Sequence, residues 1–421
     1  MSSESMARPQ PELAQPDPQA GTRHPAPGTQ PQDRVPGTRL PATEPAPPPE
    51  LEDEAVDVRL TVASQRQLIW WRFKKHKVAL ASAVVLALFY LVALFAEPVA
   101  PYDPQQVRGQ YKHVQPVPIT FVDGEGNLTL RPGVNGLVGE RDPDTLRLTY
   151  LPDPSVWYPV QFFVRGSEYK LWGLFESDLH LVGLGAEAPD QTLFLLGTDR
   201  LGRDVFSRIV YGARLSLSIG LVGVGLSFLL GISIGGVSGY YGGWIDMLVQ
   251  RVIEFLRSIP RIPLWMALAA AVPPKWPIEY VYFAITIILS LIQWTGLARV
   301  VRGRFLSLRE EDFVLAARLA GASQRRIIFR HMLPSFTSHI IASLTLAIPG
   351  TILGETGLSF LGLGLREPAI SWGVLLQDAQ SIQTVALSPW LMLPAVPLII
   401  TIMAFNFLGD GLRDAADPYG K

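Results

Sequence analysis

The sequence contains no cysteine and few charged residues. Without a thiol, disulfides, iron–sulfur clusters, thiolate zinc sites and a cysteine nucleophile are excluded. Only seven lysines occur, and the only Gly-Lys pair is the C-terminal Gly420-Lys421. The G-x-x-x-x-G-K-[ST] phosphate loop is therefore absent, and the chain does not bind ATP in that manner. The formal net charge of -1 provides no basic field, so no nucleic-acid partner is expected.

Histidines are also few, and their spacing does not suggest a ligand set. The six histidines form no H-E-x-x-H motif or similar pattern, so we expect no metal site and no cofactor. No nucleophile–base arrangement is recognisable either, which disfavours a membrane-anchored enzyme.

The composition is instead that of a membrane protein with an unusual N-terminus. Hydrophobic residues make up 48% of the chain and charged residues 17%, which is typical of proteins with membrane spans. By contrast, 13 of the 36 prolines lie in the first 50 residues. Such a segment cannot bury enough apolar surface to offset its ordering entropy. We predict a disordered cytoplasmic tail over residues 1–65; a Pro-rich docking peptide is the alternative.

Six apolar stretches are long enough to cross the ~30 Å hydrocarbon core of a bilayer. The first, Val78–Phe95, belongs to a segment 66–95 whose N-terminal flank carries Arg72, Lys74, Lys75 and Lys77. By the positive-inside rule this flank is cytoplasmic. The other five spans are predicted near residues 215–237, 247–272, 278–297, 336–353 and 390–408, within a core of residues 211–413 that leaves 414–421 as a cytoplasmic C-terminus. The fold class expected is an all-α polytopic membrane protein.

Residues 96–205 separate the first two spans and are polar. Turn signals such as Asp123-Gly124 and Asn135-Gly136 divide alternating apolar runs, a pattern typical of short strands. We predict a small β-rich extracytoplasmic insertion between helices 1 and 2. Its core is expected to be aromatic, from Trp157, Tyr158, Phe162, Phe163, Tyr169 and Trp172.

Four arginines just before the second span fit this topology poorly, because they would lie outside. They are Arg200, Arg203, Arg208 and Arg214. Asp199 and Asp204 offset them only in part. A short amphipathic helix along the outer interface would accommodate them.

The loop between the fourth and fifth spans, residues 299–334, carries eight arginines against three acidic residues, which supports a cytoplasmic location. Phe313–Ala320 are good helix formers, and Gly321 can supply the left-handed residue that ends a helix. Ser323 can cap a second helix that reaches Leu333. A helix–glycine–helix held between membrane spans is better suited to contacting a protein than to reading DNA.

This loop resembles the cytoplasmic loop of bacterial ABC-importer permeases, whose pattern is E-A-A-x-x-x-G-x9-I-x-L-P. Ala316, Ala317, Gly321, Leu333 and Pro334 match at the required spacing. Leu315 stands where the family often has Glu, and His331 where it has Ile.

Four further stretches look like the C-type permease subunit of dipeptide and oligopeptide importers. They are Leu196–Leu217, Gly239–Asp246, Gly357–Gly364 and Asn406–Asp414. The resemblance covers about residues 195–418 and the first span. It implies a type I ABC-importer permease fold with six transmembrane helices, forming half of a translocation path in the bacterial inner membrane. The family also transports nickel chelates, glutathione and oligosaccharides, so the cargo stays open.

The resemblance also implies partners and site residues. The partners are a homologous B-type permease subunit, two ABC ATPase subunits that hydrolyse the ATP, and an extracytoplasmic solute-binding protein. The residues of the ATPase-coupling loop are Ala316, Ala317, Arg318, Gly321, Arg325, Arg326, Leu333 and Pro334. Its arginines have a second interpretation, as anchors at lipid headgroups.

Polar residues within the spans are candidates for the substrate path. Gln293 and Glu355 are the two we select, whereas Arg251 and Glu254 are expected to pair with each other. The second span is rich in glycine, at positions 220, 223, 225, 231, 235 and 236, which suits close helix packing. The alternative function, a self-contained secondary transporter or channel, is disfavoured because no chain of acids and histidines forms a proton relay.

Overall fold

The computed structural model describes residues 65–141, 143, 148–185, 188 and 192–416. The predicted N-terminal tail lies outside these ranges except for its last residue, as do residues 417–421. The helices are α1 Gln65–Lys75, α2 Lys77–Leu94, α3 Ala96–Val99, α4 Val205–Tyr241, α5 Gly243–Ser258, α6 Arg261–Ala270, α7 Ile278–Leu308, α8 Asp312–Leu319, α9 Gln324–Arg326, α10 Leu333–Ser335, α11 Thr337–Phe360, α12 Trp372–Gln377, α13 Ile382–Leu387 and α14 Ala395–Ala416. A π-helical turn, Ile327–Met332, joins α9 to α10, and 3₁₀ turns cover Asp378–Gln380 and Pro389–Met392.

Within the described ranges, five helices are long and apolar enough to cross a membrane. They are Lys77–Leu94, Val205–Tyr241, Ile278–Leu308, His339–Phe360 and Pro389–Ala416. These match five of the six predicted spans. The remaining one, predicted as a continuous helix over 247–272, is instead two shorter helices, α5 and α6, which are 16 and 10 residues long.

The break between α5 and α6 follows from Pro260. Proline has no backbone N–H, and its ring disfavours a helical conformation in the residue before it. Ile259 accordingly adopts an extended backbone, with φ −88° and ψ 128°. Pro260 then becomes the N-cap of α6.

Small residues let α4 pack closely against its neighbours. A Cβ added to Gly239 would lie 2.6 Å from the carbonyl oxygen of Arg302 on α7, and one added to Gly220 would lie 2.7 Å from Ile352 on α11. Gly223, Gly231 and Gly235 are similarly crowded by α7 or α11, whereas Gly225 and Gly236 are not. The predicted packing role of the glycines is confirmed at four of the six positions, 220, 223, 231 and 235.

A four-stranded antiparallel sheet lies between α3 and α4, in the order β1 Ile119–Val122, β2 Leu128–Arg141, β3 Leu148–Leu171 and β4 Phe175–Leu184. The buried residues beneath it come largely from the connecting segments and include Tyr102, Tyr111, Tyr150 and Phe194. The core is therefore aromatic, as predicted. However, only one of the residues predicted to form it contributes to it.

Most of the aromatic residues predicted for this core lie outside it. The second half of β3 pairs with β4 alone, so it is a two-stranded ribbon with little to pack against. Phe162 and Phe163 on this ribbon are 66% and 67% exposed. Of the six predicted residues, Tyr158 packs against the core.

The tip of the β3–β4 ribbon contacts the end of the first long helix. The indole N–H of Trp172 donates to the carbonyl oxygen of Leu94 at 2.8 Å, and its ring lies 5.6 Å from that of Phe95. Glu97 accepts two hydrogen bonds from Arg214 of α4, at 2.8 and 2.7 Å. Burial raises the pKa of Glu97, but the hydrogen bonds and charge of Arg214 outweigh it and hold the pKa below its usual value. The sheet, α2 and α4 are thereby tied together.

The amphipathic helix predicted to carry the four arginines is not present as a separate element. Residues 205–214 form the first turns of α4, whose 37 residues span about 55 Å. Such a helix is longer than the ~30 Å apolar core needs, so its first turns can lie beyond it.

Besides Arg214, which pairs with Glu97, the other three of these arginines pair with acidic residues, two of which are distant in sequence. Arg203 contacts Asp199 at 2.7 Å and Glu367 at 2.6 Å, and Arg208 pairs with the same two carboxylates. Arg200 pairs with Glu367 and with Asp378, both at 3.2 Å. Three arginines thus face three carboxylates, which removes the charge imbalance that the sequence suggested.

Candidate functional site

The segment that connects α7 to α11, residues 309–336, is built around a left-handed glycine. Gly321 has a φ of +76°, as predicted. Its N–H donates to the carbonyl of Arg318, and the N–H of Ala322 donates to that of Ala317, both at 3.0 Å. This pair of bonds is a Schellman motif, which satisfies the last carbonyls of α8. We call the whole segment the α7–α11 loop.

The second half of the loop begins as predicted. The Ser323 hydroxyl accepts a hydrogen bond from the N–H of Arg326 at 3.4 Å and caps α9. The chain then continues without a break through the π-helical turn into α10, which contains Pro334. The predicted helix–glycine–helix is confirmed, with a π-helical turn that the sequence did not indicate.

The inner side of the loop is fixed to the long helices. Val314, Ile327 and Met332 are buried in a cluster with Val301 and Phe305 of α7. In addition, the hydroxyl of Tyr241, the last residue of α4, donates to the side chain of Gln324 at 2.9 Å. The loop is therefore held by the ends of both α4 and α7.

The outer side of the loop combines apolar and basic side chains. Leu319 is 90% exposed and Phe329 is 65% exposed. The outer surface of the loop is defined by Phe313, Leu315, Ala316, Arg318, Leu319, Arg325, Arg326 and Phe329, all exposed. Of the other residues predicted for this site, Pro334 is exposed, and Ala317 and Leu333 are half-buried against the loop's own core.

A cavity of about 610 Å³ lies among α4, α7, α11 and the α5–α6 break. It is lined at the middle of the three long helices, by Val224 and Ser227 of α4, Gln293 of α7, and Ala347 and Gly350 of α11. The structure thus places Gln293, predicted for the substrate path, in this cavity. Because Thr351 donates to its carbonyl oxygen at 2.9 Å, the amide NH₂ of Gln293 is left as a donor.

Glu355, the second residue predicted for the substrate path, does not line this cavity. Its side chain is fully buried, and it accepts hydrogen bonds from the hydroxyls of Ser359 at 2.8 Å and Ser371 at 2.7 Å. Ser371 is also the N-cap of α12. The carboxyl group therefore joins α11 to α12.

Two arginines in the cavity wall were missed by sequence reasoning. Arg257, near the end of α5, and Arg261, at the start of α6, both line the cavity. They were overlooked because residues 247–272 were predicted as one uninterrupted helix. The sequence signal that could have revealed them is Pro260, a helix-breaking residue that lies between these two arginines, four residues apart. Arg251 and Glu254, by contrast, form the predicted pair, at 2.8 Å.

A second missed contact connects the start of α5 to α7. Asp246 accepts a bidentate pair of hydrogen bonds from Arg302. Arg302 lies one turn from Phe305, which packs against the α7–α11 loop. The loop, α5 and α7 are therefore mechanically connected.

Comparison with known proteins places the chain in a family. Residues 228–419 match the family model described as binding-protein-dependent transport system inner membrane component, and residues 64–116 match that of the N-terminal TM domain of oligopeptide transport permease C. The chain is 42% identical to the dipeptide transport system permease protein DppC of Alkalihalophilus pseudofirmus over 226 residues, which are 53% of this chain and 72% of the relative. It is 44% identical to the oligopeptide transport system permease protein OppC of Haemophilus influenzae, over 53% of this chain and 69% of the relative.

Among solved structures, the chain is similar to a chain of the MetNI methionine ABC transporter in an inward-facing conformation. The identity is 18% and the TM-score 0.39, over 50% of this chain and 97% of that one. The chain belongs to the family of C-type permease subunits of dipeptide and oligopeptide ABC importers.

Proposed function

We propose that this chain forms half of the translocation path of an ATP-driven importer of peptides or a related small solute in the bacterial inner membrane. Its partners are a homologous B-type permease subunit, two ABC ATPase subunits and an extracytoplasmic solute-binding protein. The relatives named as dipeptide and oligopeptide permeases support the cargo class.

The observation that carries the proposal is the outer surface of the α7–α11 loop. Exposed leucine and phenylalanine side chains on a rigid segment are typical of a protein interface. None of Arg318, Arg325 and Arg326 has an ion pair within the part of the chain that the structure describes. An apolar patch with unpaired arginines fits a partner cleft with an apolar floor and acidic groups around it.

Contacts between the loop and the cavity support transmission of movement between them. The loop packs on Val301 and Phe305 of α7, and Gln293 lies on the same helix about two turns away. Arg302 carries the contact on to α5 through Asp246. A rigid-body shift of the loop would therefore move two walls of the cavity together.

The proposed topology has six crossings, with the N-terminus in the cytoplasm. The broken pair α5–α6 supplies the crossing that is not one long helix. Its 26 helical residues have a combined rise of about 39 Å, more than the ~30 Å thickness of the apolar core. The sheet then lies outside and the α7–α11 loop inside, near the ATPases.

The test is to place a charge on the outer surface of the loop. Leu319→Asp puts a carboxylate at a 90% exposed position, so it leaves the packing of the loop unchanged. We expect co-purification of the ATPase subunits to fall about tenfold, since desolvating a charge in an apolar contact costs more than 1.4 kcal/mol.

The matched control is Leu128→Asp, an equally exposed leucine, at 87%, on β2. It should leave the ATPase yield at the wild-type level. Normal ATPase yield and normal substrate-stimulated ATP hydrolysis in Leu319→Asp would show that this surface is not the docking site.

A further inference from the structure

We propose that Arg257 and Arg261 form a carboxylate-binding site in the cavity, which receives the free carboxylate of a peptide during its passage. This proposal rests on the proposed function and assigns a chemical specificity to the path itself. The two guanidinium groups lie on either side of the α5–α6 break and line the same cavity.

The cavity has positive charge without compensation. Its lining contains both arginines and no aspartate or glutamate. No ion pair involves Arg257 or Arg261 in the described ranges. Three other arginines of the helical core have acidic partners: Arg214 pairs with Glu97, Arg251 with Glu254, and Arg302 with Asp246.

The position makes these unpaired charges costly unless a ligand uses them. The cavity reaches the midpoint of α4, α7 and α11, three helices of membrane-spanning length. Arg257 and Arg261 are exposed to this cavity from the proposed α5–α6 crossing, and charged side chains that persist within a membrane-spanning segment mark ion or substrate paths. A guanidinium presents a planar set of N–H donors that matches a carboxylate in two-point geometry.

The rest of the lining is mostly apolar and includes a few side chains that can donate hydrogen bonds. The Gln293 amide is oriented by Thr351 so that its NH₂ group remains available, and the Ser343 hydroxyl is part of the lining. The α6 helix begins at Arg261, which adds the positive end of its dipole. A volume of about 610 Å³ is of the size that holds a small molecule.

The charge of the cavity is measured with thiol reagents. The chain has no native cysteine, so Ser343→Cys introduces one thiol into this subunit at the cavity wall. In the assembled transporter, this thiol is reacted with two methanethiosulfonates of similar size, one bearing a sulfonate and one a trimethylammonium. We expect the sulfonate reagent to be favoured about tenfold, relative to the same pair of reagents on free cysteine.

Replacing the arginines should remove this preference. Arg257→Gln with Arg261→Gln is expected to reduce the rate ratio to that of free cysteine. Arg251→Gln, which removes a paired and exposed arginine of the same helix, is the control and should leave the ratio unchanged. A ratio that does not respond to the double substitution would overturn the site.

The carboxylate itself is tested by protection of the same thiol. Dialanine at millimolar concentration should slow labelling of Ser343→Cys, dialanine amide should not, and the double substitution should abolish the difference. Equal protection by acid and amide would show that the cavity does not recognise the carboxylate. Failure of the assembly to drive ATP-dependent uptake of any peptide would instead refute the proposed function, which the labelling ratio does not measure.

Discussion

Asp204 is a buried carboxyl group with an incomplete set of partners. One carboxylate oxygen caps α4 by accepting the N–H of Ser207 at 2.7 Å. The other oxygen has no hydrogen-bond partner in the described part of the chain. Burial raises the pKa of Asp204 to about 6. Because the folded protein holds this proton more tightly than the unfolded chain, stability is lost as the pH rises from the unfolded pKa of 3.8 through 6.

Asp204→Asn should therefore stabilise the protein at neutral pH. Asparagine is an equally good N-cap, and it carries no charge to bury. We expect a gain of about 3 kcal/mol at pH 7.5, falling to about half of that at pH 5. Thermal unfolding of the purified protein at the two pH values measures the difference; an asparagine variant that is less stable at both would contradict the assignment.

The arginines near Asp204 show why single residues are hard to interpret from sequence alone. Arg203 and Arg208 are separated from Glu367 by 164 and 159 residues. No local pattern indicates such a pairing, so the sequence left an excess of positive charge before α4. Where the partners are neighbours, as for Arg251 and Glu254, the helical spacing was sufficient.

At the scale of elements, α8, Gly321 and α9 form the joint of the α7–α11 loop. A Cβ at Gly321 would meet no atom within 4 Å. The restriction is therefore conformational alone, and it arises from the φ of +76°. Substitutions at position 321 should therefore be tolerated or not according to how readily the new residue adopts a left-handed backbone.

Gly321→Val should uncouple ATP hydrolysis from transport, and Gly321→Asn should not. A β-branched residue in the left-handed region costs roughly 1–2 kcal/mol or more, whereas asparagine visits it readily. We expect substrate-stimulated ATP hydrolysis in reconstituted vesicles to fall about tenfold in the valine variant. Wild-type coupling in a well-expressed Gly321→Val protein would mean that the direction of α9 does not matter.

Local signals predicted this joint well because capping depends on a few adjacent residues. Gly321 and Ser323 each took the expected role. Pro260 was also visible in the sequence, yet residues 247–272 were predicted as one span because the surrounding run is apolar. Missing the break also meant missing Arg257 and Arg261 as neighbours in one cavity.

Long-range packing accounts for the other differences between expectation and structure. Whether Phe162 and Phe163 are buried depends on which strands cover them, and the β3–β4 ribbon extends past the sheet core. Similarly, Glu355 was selected for the substrate path because it is a charged residue beside an apolar span. In the structure its carboxylate is enclosed by the hydroxyl groups of Ser359 and Ser371. Residue type alone identified these side chains as candidates for a core or a substrate path, but it did not show whether they are exposed, buried or in the cavity.

At the scale of the whole molecule, ATP-driven import requires two surfaces on opposite sides of the membrane. Trp172 of the sheet contacts Leu94 of the first long helix and Glu97 of α3, and Glu97 in turn binds Arg214 of α4. The α7–α11 loop packs at the other end of α4, where Tyr241 contacts Gln324. Because α4 is 37 residues long, about 55 Å separates its two ends.

The most direct test of this account is the side of the membrane on which each surface lies. Glu125→Cys places a thiol in the exposed β1–β2 turn, beside Gly126, whose left-handed φ makes that position unsuitable. Glu310→Cys places one at an exposed position in the α7–α11 loop. In intact spheroplasts, a membrane-impermeant maleimide should label the first protein and should label the second only after lysis. The reverse pattern would put the loop outside, away from any ATPase, and would contradict the proposed coupling.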